Sequence, residues 1–268
     1  MTDKKRVACF FSGGYTELNA MKSFIIRING NAEYRQLCPV APRKSRDVIR
    51  NRTSIDSNQS GLTGDSLIKY VLDTVEKPHF IRESYDFIII EDDKDDRFLN
   101  KDTSSIDLDK WESFKKDVQQ RLADKGVTVP VIIFLAAPEV EAWFVSDWEN
   151  SFGQVYKNSG ELNGLQNTYF STVFRKYVKD TILTGKYSGA VEAYGYFCDG
   201  YRKLSEEIQT ALNTIDFMAE YKPAFEHEPI RYSKRKQGGT MLENIDPNKV
   251  LDGCTVFFKE AFYKLQNI

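Results

Sequence analysis

Short apolar segments that alternate with amphipathic segments are the feature that most constrains the fold of this chain. Residues 6–11 (RVACFF), 85–90 and 129–136 are largely apolar, and each has a length that suits a strand buried on both faces. Segments with helical periodicity separate them, such as residues 16–28 and 108–125, the second with Gly126 as its stop signal. This alternation predicts an α/β fold with a doubly wound, mainly parallel sheet.

The pattern changes near residue 150. Before that point a strand is predicted at residues 34–40, a helix at residues 64–76, and a helix opened by Pro138 that runs through Trp148. After it, helices are predicted at residues 171–184, 188–215 and 247–266. We therefore expect an α/β core over residues 1–150 and a mainly helical C-terminal part over residues 151–268, which carries a basic segment.

Composition narrows the class of protein. The 268 residues are 41% hydrophobic and 28% charged, which supports a folded core rather than a disordered chain. The four cysteines and two histidines are scattered, so neither structural zinc nor a disulfide framework is expected. The apolar run VIIFLAA is far shorter than the ~20 residues of a membrane span, and the N-terminus lacks a signal-peptide pattern. We therefore expect a cytoplasmic protein without membrane association.

The strand at residues 85–90 leads directly into five carboxylates, in the sequence IIIEDDKDDR. Glu91 and Asp93 share one face if the chain stays extended, whereas Asp92 points to the other. Ligands bind beyond the carboxyl ends of parallel strands, so Glu17, Glu139 and Glu141, which follow two other strands, are expected at the same edge. Such carboxylates suit Mg²⁺ or Mn²⁺, which polarises a phosphate and activates water. The predicted metal ligands are Glu17, Glu91, Asp93, Asp95 and Asp96.

Simpler interpretations of the same residues stay open. An acid after a strand often begins a helix, as Glu17 or Glu139 can, and an aspartate-rich stretch can be a solvated turn. An EF-hand loop is excluded because Arg97 stands where that loop requires glycine. The sequence contains neither a P-loop nor a G-x-G-x-x-G turn, which disfavours a nucleotide-binding enzyme.

Two basic segments are candidates for contact with nucleic acid. In RYSKRK, cations surround a tyrosine that can stack on a base, and a Gly-Gly pair follows that allows close backbone approach. The alternative is a solvated surface loop. The predicted nucleic-acid contacts are Arg50, Arg52, Arg231, Tyr232, Lys234, Arg235 and Lys236.

Three stretches resemble a known group of proteins. The order of a glycine-bearing turn (SGG), an acidic strand end (EDD) and a later Glu resembles the Toprim fold of topoisomerases, primases and OLD-family nucleases. APEVEAWFVSD resembles the Glu-x-Trp-Phe-Leu-x-Asp signature of a Toprim-like family of uncharacterised bacterial proteins, whose genes often lie beside an ABC-type ATPase gene in defence islands. RYSKRKQGGTMLENIDPNKV resembles that family's closing stretch.

The resemblance implies a Mg²⁺-dependent nuclease that acts in anti-phage defence, on DNA or RNA, with an ABC-type or AAA ATPase partner. The predicted catalytic residues are Glu17, Glu91, Asp93, Glu141, Lys234 and Lys236, with the lysines offsetting phosphate charge opposite the metal. Toprim nucleases usually place a Glu at the end of the first strand, where this chain has Ser12 and Gly13. A catalytically degenerate sensor or adaptor subunit is therefore the alternative, and the sequence leaves the oligomeric state, a homodimer included, open.

Overall fold

The computed structural model describes residues 4–42, 55–100, 105–158, 175–176, 191–197, 200–216 and 232–268. Its strands are β1 (Arg6–Phe11), β2 (Glu33–Cys38), β3 (Phe87–Asp93), β4 (Leu99–Asn100), β5 (Ser105–Ile106), β6 (Val131–Ala136), β7 (Tyr196–Phe197) and β8 (Gly200–Tyr201). Its α-helices are α1 (Lys22–Ile28), α2 (Gly64–Val75), α3 (Pro78–Glu83), α4 (Leu108–Ala123), α5 (Glu141–Ser146), α6 (Phe152–Asn158), α7 (Leu204–Asp216), α8 (Gly239–Asn244), α9 (Pro247–Gly253) and α10 (Phe257–Gln266).

Shorter helical turns adjoin these helices. A π-helical turn, Glu17–Met21, leads into α1, and a second one, Lys234–Gly238, leads into α8. Two 3₁₀ turns are also present, at Trp148–Asn150 and Val191–Ala193.

The main sheet has the order β2-β1-β3-β6, and all of its neighbouring strands pair in parallel. β4 pairs with β5, and β7 with β8, as short antiparallel pairs. The predicted α/β fold with a mainly parallel sheet is therefore confirmed.

The strands bury alternate residues in two hydrophobic cores, one on each face of the sheet. On one face Phe134 of β6 packs against Phe258 of α10, with ring centroids 5.5 Å apart. α1, α5, α7, α8 and α9 contribute to this core. On the other face α2 and α4 cover the sheet with residues such as Leu67 and Trp111. Helices from both sides of the predicted boundary at residue 150 thus cover the first of these two faces together.

None of the helices in the described part of the chain is both long and apolar enough to cross a membrane.

Several predicted elements differ from the observed ones. β3 continues through Asp93 instead of ending at Ile90, because Glu91, Asp92 and Asp93 pair with Phe134, Leu135 and Ala136 of β6. The helix predicted from Pro138 begins only at Glu141. The preceding segment is held to the end of β3, since the Pro138 carbonyl accepts a hydrogen bond from the Asp95 N–H at 2.8 Å.

Two long predicted helices are also interrupted. Where one helix was predicted over residues 188–215, a 3₁₀ turn and the β7–β8 pair precede α7, and Gly195 and Gly200 there have φ angles of 140° and 124°. The predicted helix 247–266 divides into α9 and α10 near Cys254. Glu192 stabilises this break, since its carboxylate accepts hydrogen bonds from the Val256 and Phe257 N–H groups at 2.7 and 2.9 Å. The predicted helix 171–184 lies almost entirely outside the described residues.

The turn that follows β1 is held by the segment before α2. The Gly13 N–H donates to the Leu62 carbonyl at 2.7 Å, and the Gly61 N–H donates to the Gly13 carbonyl at 2.9 Å. A Cβ atom at Gly13 would lie 2.1 Å from the Gln59 carbonyl oxygen. This close backbone approach explains why glycine stands at this strand end.

We expect Gly13→Ala to lower the free energy of unfolding by about 1–3 kcal/mol, because backbone must move to admit the methyl group. Gly30→Ala is the matched control, since a Cβ atom there would meet only the Ile26 carbonyl oxygen, at 3.7 Å. Urea unfolding of the two variants measures the difference. Equal stability of both variants would contradict the close approach at Gly13.

Candidate active site at the carboxyl edge of the sheet

Five carboxylates gather where β1, β3 and β6 end. They are Glu17, Glu91, Asp93, Glu139 and Glu141, here called the carboxylate cluster. Parallel pairing places Phe11, Glu91 and Phe134 side by side across the three strands, so the residues that follow emerge at one edge. Four members are buried, with Asp93 partly exposed.

Glu91 is fully buried at the end of β3. Its Oε2 atom accepts a hydrogen bond of 3.4 Å from the Ser12 N–H, while Oε1 is buried without a hydrogen-bond partner. Burial, together with the negative charges of Glu17 and Asp93, raises the pKa of Glu91 well above its ordinary value. This carboxylate is therefore poorly compensated within the protein.

Glu17 lies in the first π-helical turn, with 3% of its surface exposed. Burial and the charge of Asp93 raise its pKa to about 8, and Lys234 partly opposes that shift. Gly14 makes room for this carboxylate, because a Cβ atom at Gly14 would lie 2.0 Å from Glu17 Oε2. The glycines of the SGG turn thus serve two contacts, one with the loop before α2 and one with Glu17.

Asp93 links the cluster to the C-terminal part of the chain. Its Oδ1 accepts a hydrogen bond from the Val140 N–H, and its Oδ2 accepts one from Lys234 Nζ, both at 3.0 Å. Lys234 Nζ also lies 3.2 Å from Glu141 Oε2 and 3.6 Å from Glu139 Oε1. Burial would lower the pKa of the Lys234 ammonium, but these carboxylates, Asp93 foremost, raise it well above its ordinary value.

Tyr232 and Lys234 both contact Glu141. The Tyr232 hydroxyl donates to Glu141 Oε1 at 2.6 Å. Burial raises the pKa of Glu141 to about 7, although the charge of Lys234 and this hydrogen bond act in the opposite direction. The predicted stacking of Tyr232 on a base is wrong, because its ring is buried and packs against Phe152 with a centroid distance of 5.4 Å.

The Lys234–Gly238 turn is fixed against the start of the chain. The Thr16 hydroxyl donates to the Lys234 carbonyl at 3.2 Å. A Cβ atom at Gly238 would lie 2.2 Å from Thr16 Oγ1, so the first glycine of the Gly-Gly pair allows close approach to Thr16 within the protein, whereas the predicted approach to a phosphate stays a prediction. Arg235 is exposed, with its guanidinium 4.5 Å from the centre of the Tyr15 ring, and Lys236 is exposed as well.

Asp92 points to the opposite face of β3, as the strand alternation predicts. Its Oδ2 accepts a hydrogen bond from the Gly64 N–H at 2.9 Å and pairs with Arg97. Burial raises its pKa to about 6 against the effect of Arg97. The role of Asp92 is therefore to join β3 to α2 and to the turn that follows β3.

Asp95 and Asp96 lie in that turn, beyond the end of β3. Asp95 Oδ1 is 3.6 Å from Lys203 Nζ, and Asp96 is exposed. The buried Lys94 closes the turn by donating to the carbonyls of Asp95 and Arg97, at 3.0 and 3.2 Å. The acidic residues of IIIEDDKDDR thus lie on the two faces of β3 and in the turn that follows it. Lys234 pairs with Asp93 on one face, Arg97 pairs with Asp92 on the other, and Lys203 pairs with Asp95 in the turn.

The sequence does not predict the contact between Glu139 and α7. Glu139 accepts hydrogen bonds from the N–H and hydroxyl of Ser205 at the start of α7, at 3.0 and 3.1 Å. Lys234, predicted to act at this edge, contacts the carboxylate cluster through long-range packing of the Lys234–Gly238 turn. Arg50, Arg52 and Arg231 lie outside the described residues.

The donor chemistry of the cluster fits a hard divalent cation, since every donor is a carboxylate oxygen and Glu91 Oε1 is buried without a partner. In the described part of the chain, however, no three His, Cys, Asp or Glu side chains are arranged closely enough to hold a metal ion. The ammonium of Lys234 lies among three of the carboxylates instead.

Comparison with known proteins gives no match: no family model, no curated protein and no solved structure is similar to this chain.

We expect metal-free protein to lose stability as the pH rises from about 5 to about 8. In the folded chain Glu17 holds its proton up to a pKa of about 8, against an ordinary value of 4.5. The unfolded chain then binds fewer protons than the folded chain, so the free energy of unfolding falls with rising pH. Glu17→Gln should remove part of this loss. The part removed should be on the order of a few kcal/mol in the free energy of unfolding at pH 8.

Urea unfolding in EDTA across this pH range measures the effect, with Glu33→Gln at an exposed position of β2 as the control. If the free energy of unfolding falls equally steeply with pH in the Glu17→Gln and Glu33→Gln variants, Glu17 is ionised in the folded protein at neutral pH.

Proposed function

We propose that the carboxylate cluster binds Mg²⁺ or Mn²⁺ and that the protein hydrolyses phosphodiester bonds of DNA or RNA. The observation that carries this proposal is the convergence of buried carboxylates from three strand ends at one edge, with one oxygen of Glu91 unpartnered. A buried carboxylate without compensation is costly, and a bound cation is one way of supplying that compensation. The resemblance to Toprim nucleases supports the choice of reaction.

Individual residues suit particular tasks in such a reaction. Glu17, Glu91 and Asp93 would hold the cation, which when bound polarises the phosphate and lowers the pKa of a water molecule. Glu17, the acid nearest in sequence to Ser12 and Gly13, would stand in for the strand-end Glu of Toprim nucleases as the general base. Lys234 can offset negative charge on a phosphate when it faces the substrate, and the exposed Arg235 and Lys236 can contact neighbouring phosphates.

The biological setting is proposed from the resemblance alone. It comprises a role as effector in anti-phage defence and an ABC-type or AAA ATPase partner that restrains or delivers the nuclease.

A second candidate is a non-catalytic sensor or adaptor of such an ATPase. Two observations favour it. Ser12 and Gly13 follow the first strand at the place where Toprim nucleases have a Glu, and Lys234 already supplies a positive charge to Asp93 and Glu141. In this alternative the ion pairs of Lys234 are structural, and the cluster stabilises the junction between the sheet and the C-terminal helices.

Cleavage of labelled DNA and RNA with Mg²⁺, Mn²⁺ or EDTA tests the two candidates. We expect Glu91→Gln and Asp93→Asn to lower the rate of metal-dependent cleavage by about two orders of magnitude or more, since each removes a ligand charge. Asp92→Asn is the control on the opposite face, because its amide oxygen can still accept the Gly64 hydrogen bond, and its rate should stay within a few-fold of wild type.

Wild-type rates in the Glu91→Gln and Asp93→Asn variants would exclude the cluster as the reacting site. A folded wild-type protein that cleaves neither nucleic acid under any of these conditions would favour the adaptor.

A further inference from the structure

The ammonium of Lys234 occupies the part of the cluster that a metal ion would also need. It lies 3.0 Å from Asp93 Oδ2, 3.2 Å from Glu141 Oε2 and 3.6 Å from Glu139 Oε1. A divalent cation bound through Asp93 would compete for an oxygen that already accepts from Lys234, and the two cations would repel each other at this short range. This arrangement therefore favours either the Lys234 ammonium or a divalent metal ion beside Asp93 over both together.

The arrangement also allows the ammonium to leave without unfolding the chain. The backbone of the turn is fixed by the contacts of Thr16 with Lys234 and Gly238, whereas a third of the Lys234 side chain is exposed. Lysine has a flexible four-carbon stem, so a change of rotamer can carry its ammonium from the carboxylates to solvent. The backbone anchor keeps the side chain close enough to return.

We propose that Lys234 is a tethered cation that excludes divalent metal from the carboxylate cluster, and that metal enters only when its ammonium withdraws. This inference rests on the metal binding in the proposed function and adds its regulation: the ion pairs of Lys234 with Asp93 and Glu141 are the arrangement that opposes metal binding. A withdrawn ammonium becomes available to an anionic substrate.

Calorimetric titration of Mn²⁺ into the full-length protein tests this competition without any assay of activity. Lys234→Gln should bind Mn²⁺ on the order of tenfold or more tightly than wild type, because a competing unit charge has been removed. Lys236→Gln is the matched control: it removes the same charge from the same turn, but from an exposed position, and should bind within about twofold of wild type.

Lys234→Gln leaves buried carboxylates without their cation, so its folding is checked first by circular dichroism. If it does not fold, Gly238→Ala replaces it, because a Cβ atom 2.2 Å from Thr16 Oγ1 must displace the hydroxyl that donates to the Lys234 carbonyl and anchors the turn. Gly239→Ala is then the control, since a Cβ atom there meets only Asn19 Cβ, at 3.7 Å. Tighter Mn²⁺ binding by the Gly238 variant supports the inference, and equal binding by the two variants overturns it.

The outcomes separate this inference from the proposed function. If wild type binds Mn²⁺ and Lys234→Gln binds it equally or more weakly, Lys234 does not compete with the metal. The proposed metal site would then stand without this regulation. No Mn²⁺ binding by any folded variant would overturn both.

Discussion

The structure depends on how negative charge is compensated at the carboxyl edge of the sheet. Glu91 and Glu141 are fully buried there, and a buried carboxylate needs hydrogen bonds or a cation to offset its lost hydration. Compensation is uneven: Glu141 has Tyr232 and Lys234, whereas Glu91 has one hydrogen bond of 3.4 Å and an unpartnered oxygen. A poorly compensated carboxylate inside an otherwise well-packed core points to function rather than to stability.

The same edge joins parts of the chain that are far apart in sequence. The Tyr232 hydroxyl meets Glu141, and the Asp246 N–H donates to Asp147 Oδ2 at 2.7 Å. These contacts connect the segment APEVEAWFVSD with RYSKRKQGGTMLENIDPNKV, which are two of the stretches that carry the family resemblance. Their residues thus serve as partners in one structural unit, and the C-terminal helices bring Lys234 to the strands.

Local patterns in the sequence are sufficient to predict the strands of the sheet and part of the carboxylate cluster. The apolar runs located β1, β3 and β6, and strand alternation separated Asp92 from Glu91 and Asp93, because a two-residue period is a local property. A role for Lys234 at this edge is predicted from charge, but its direct contacts with Asp93 and Glu141 are not, since they depend on long-range packing of the Lys234–Gly238 turn against Thr16. Breaks in long helices were missed where glycines adopt positive φ angles or a distant Glu192 caps the next helix.

This edge of the sheet is proposed to be a site for a divalent cation at which Lys234 competes for Asp93 and Glu141. The most direct measurement is an anomalous difference map from crystals grown with Mn²⁺. We expect a peak within ligand distance of the carboxylates of Glu17, Glu91 and Asp93, with the Lys234 ammonium moved away from Asp93. A map with no peak at this edge at saturating Mn²⁺, and with Lys234 still in contact with Asp93, would contradict the claim.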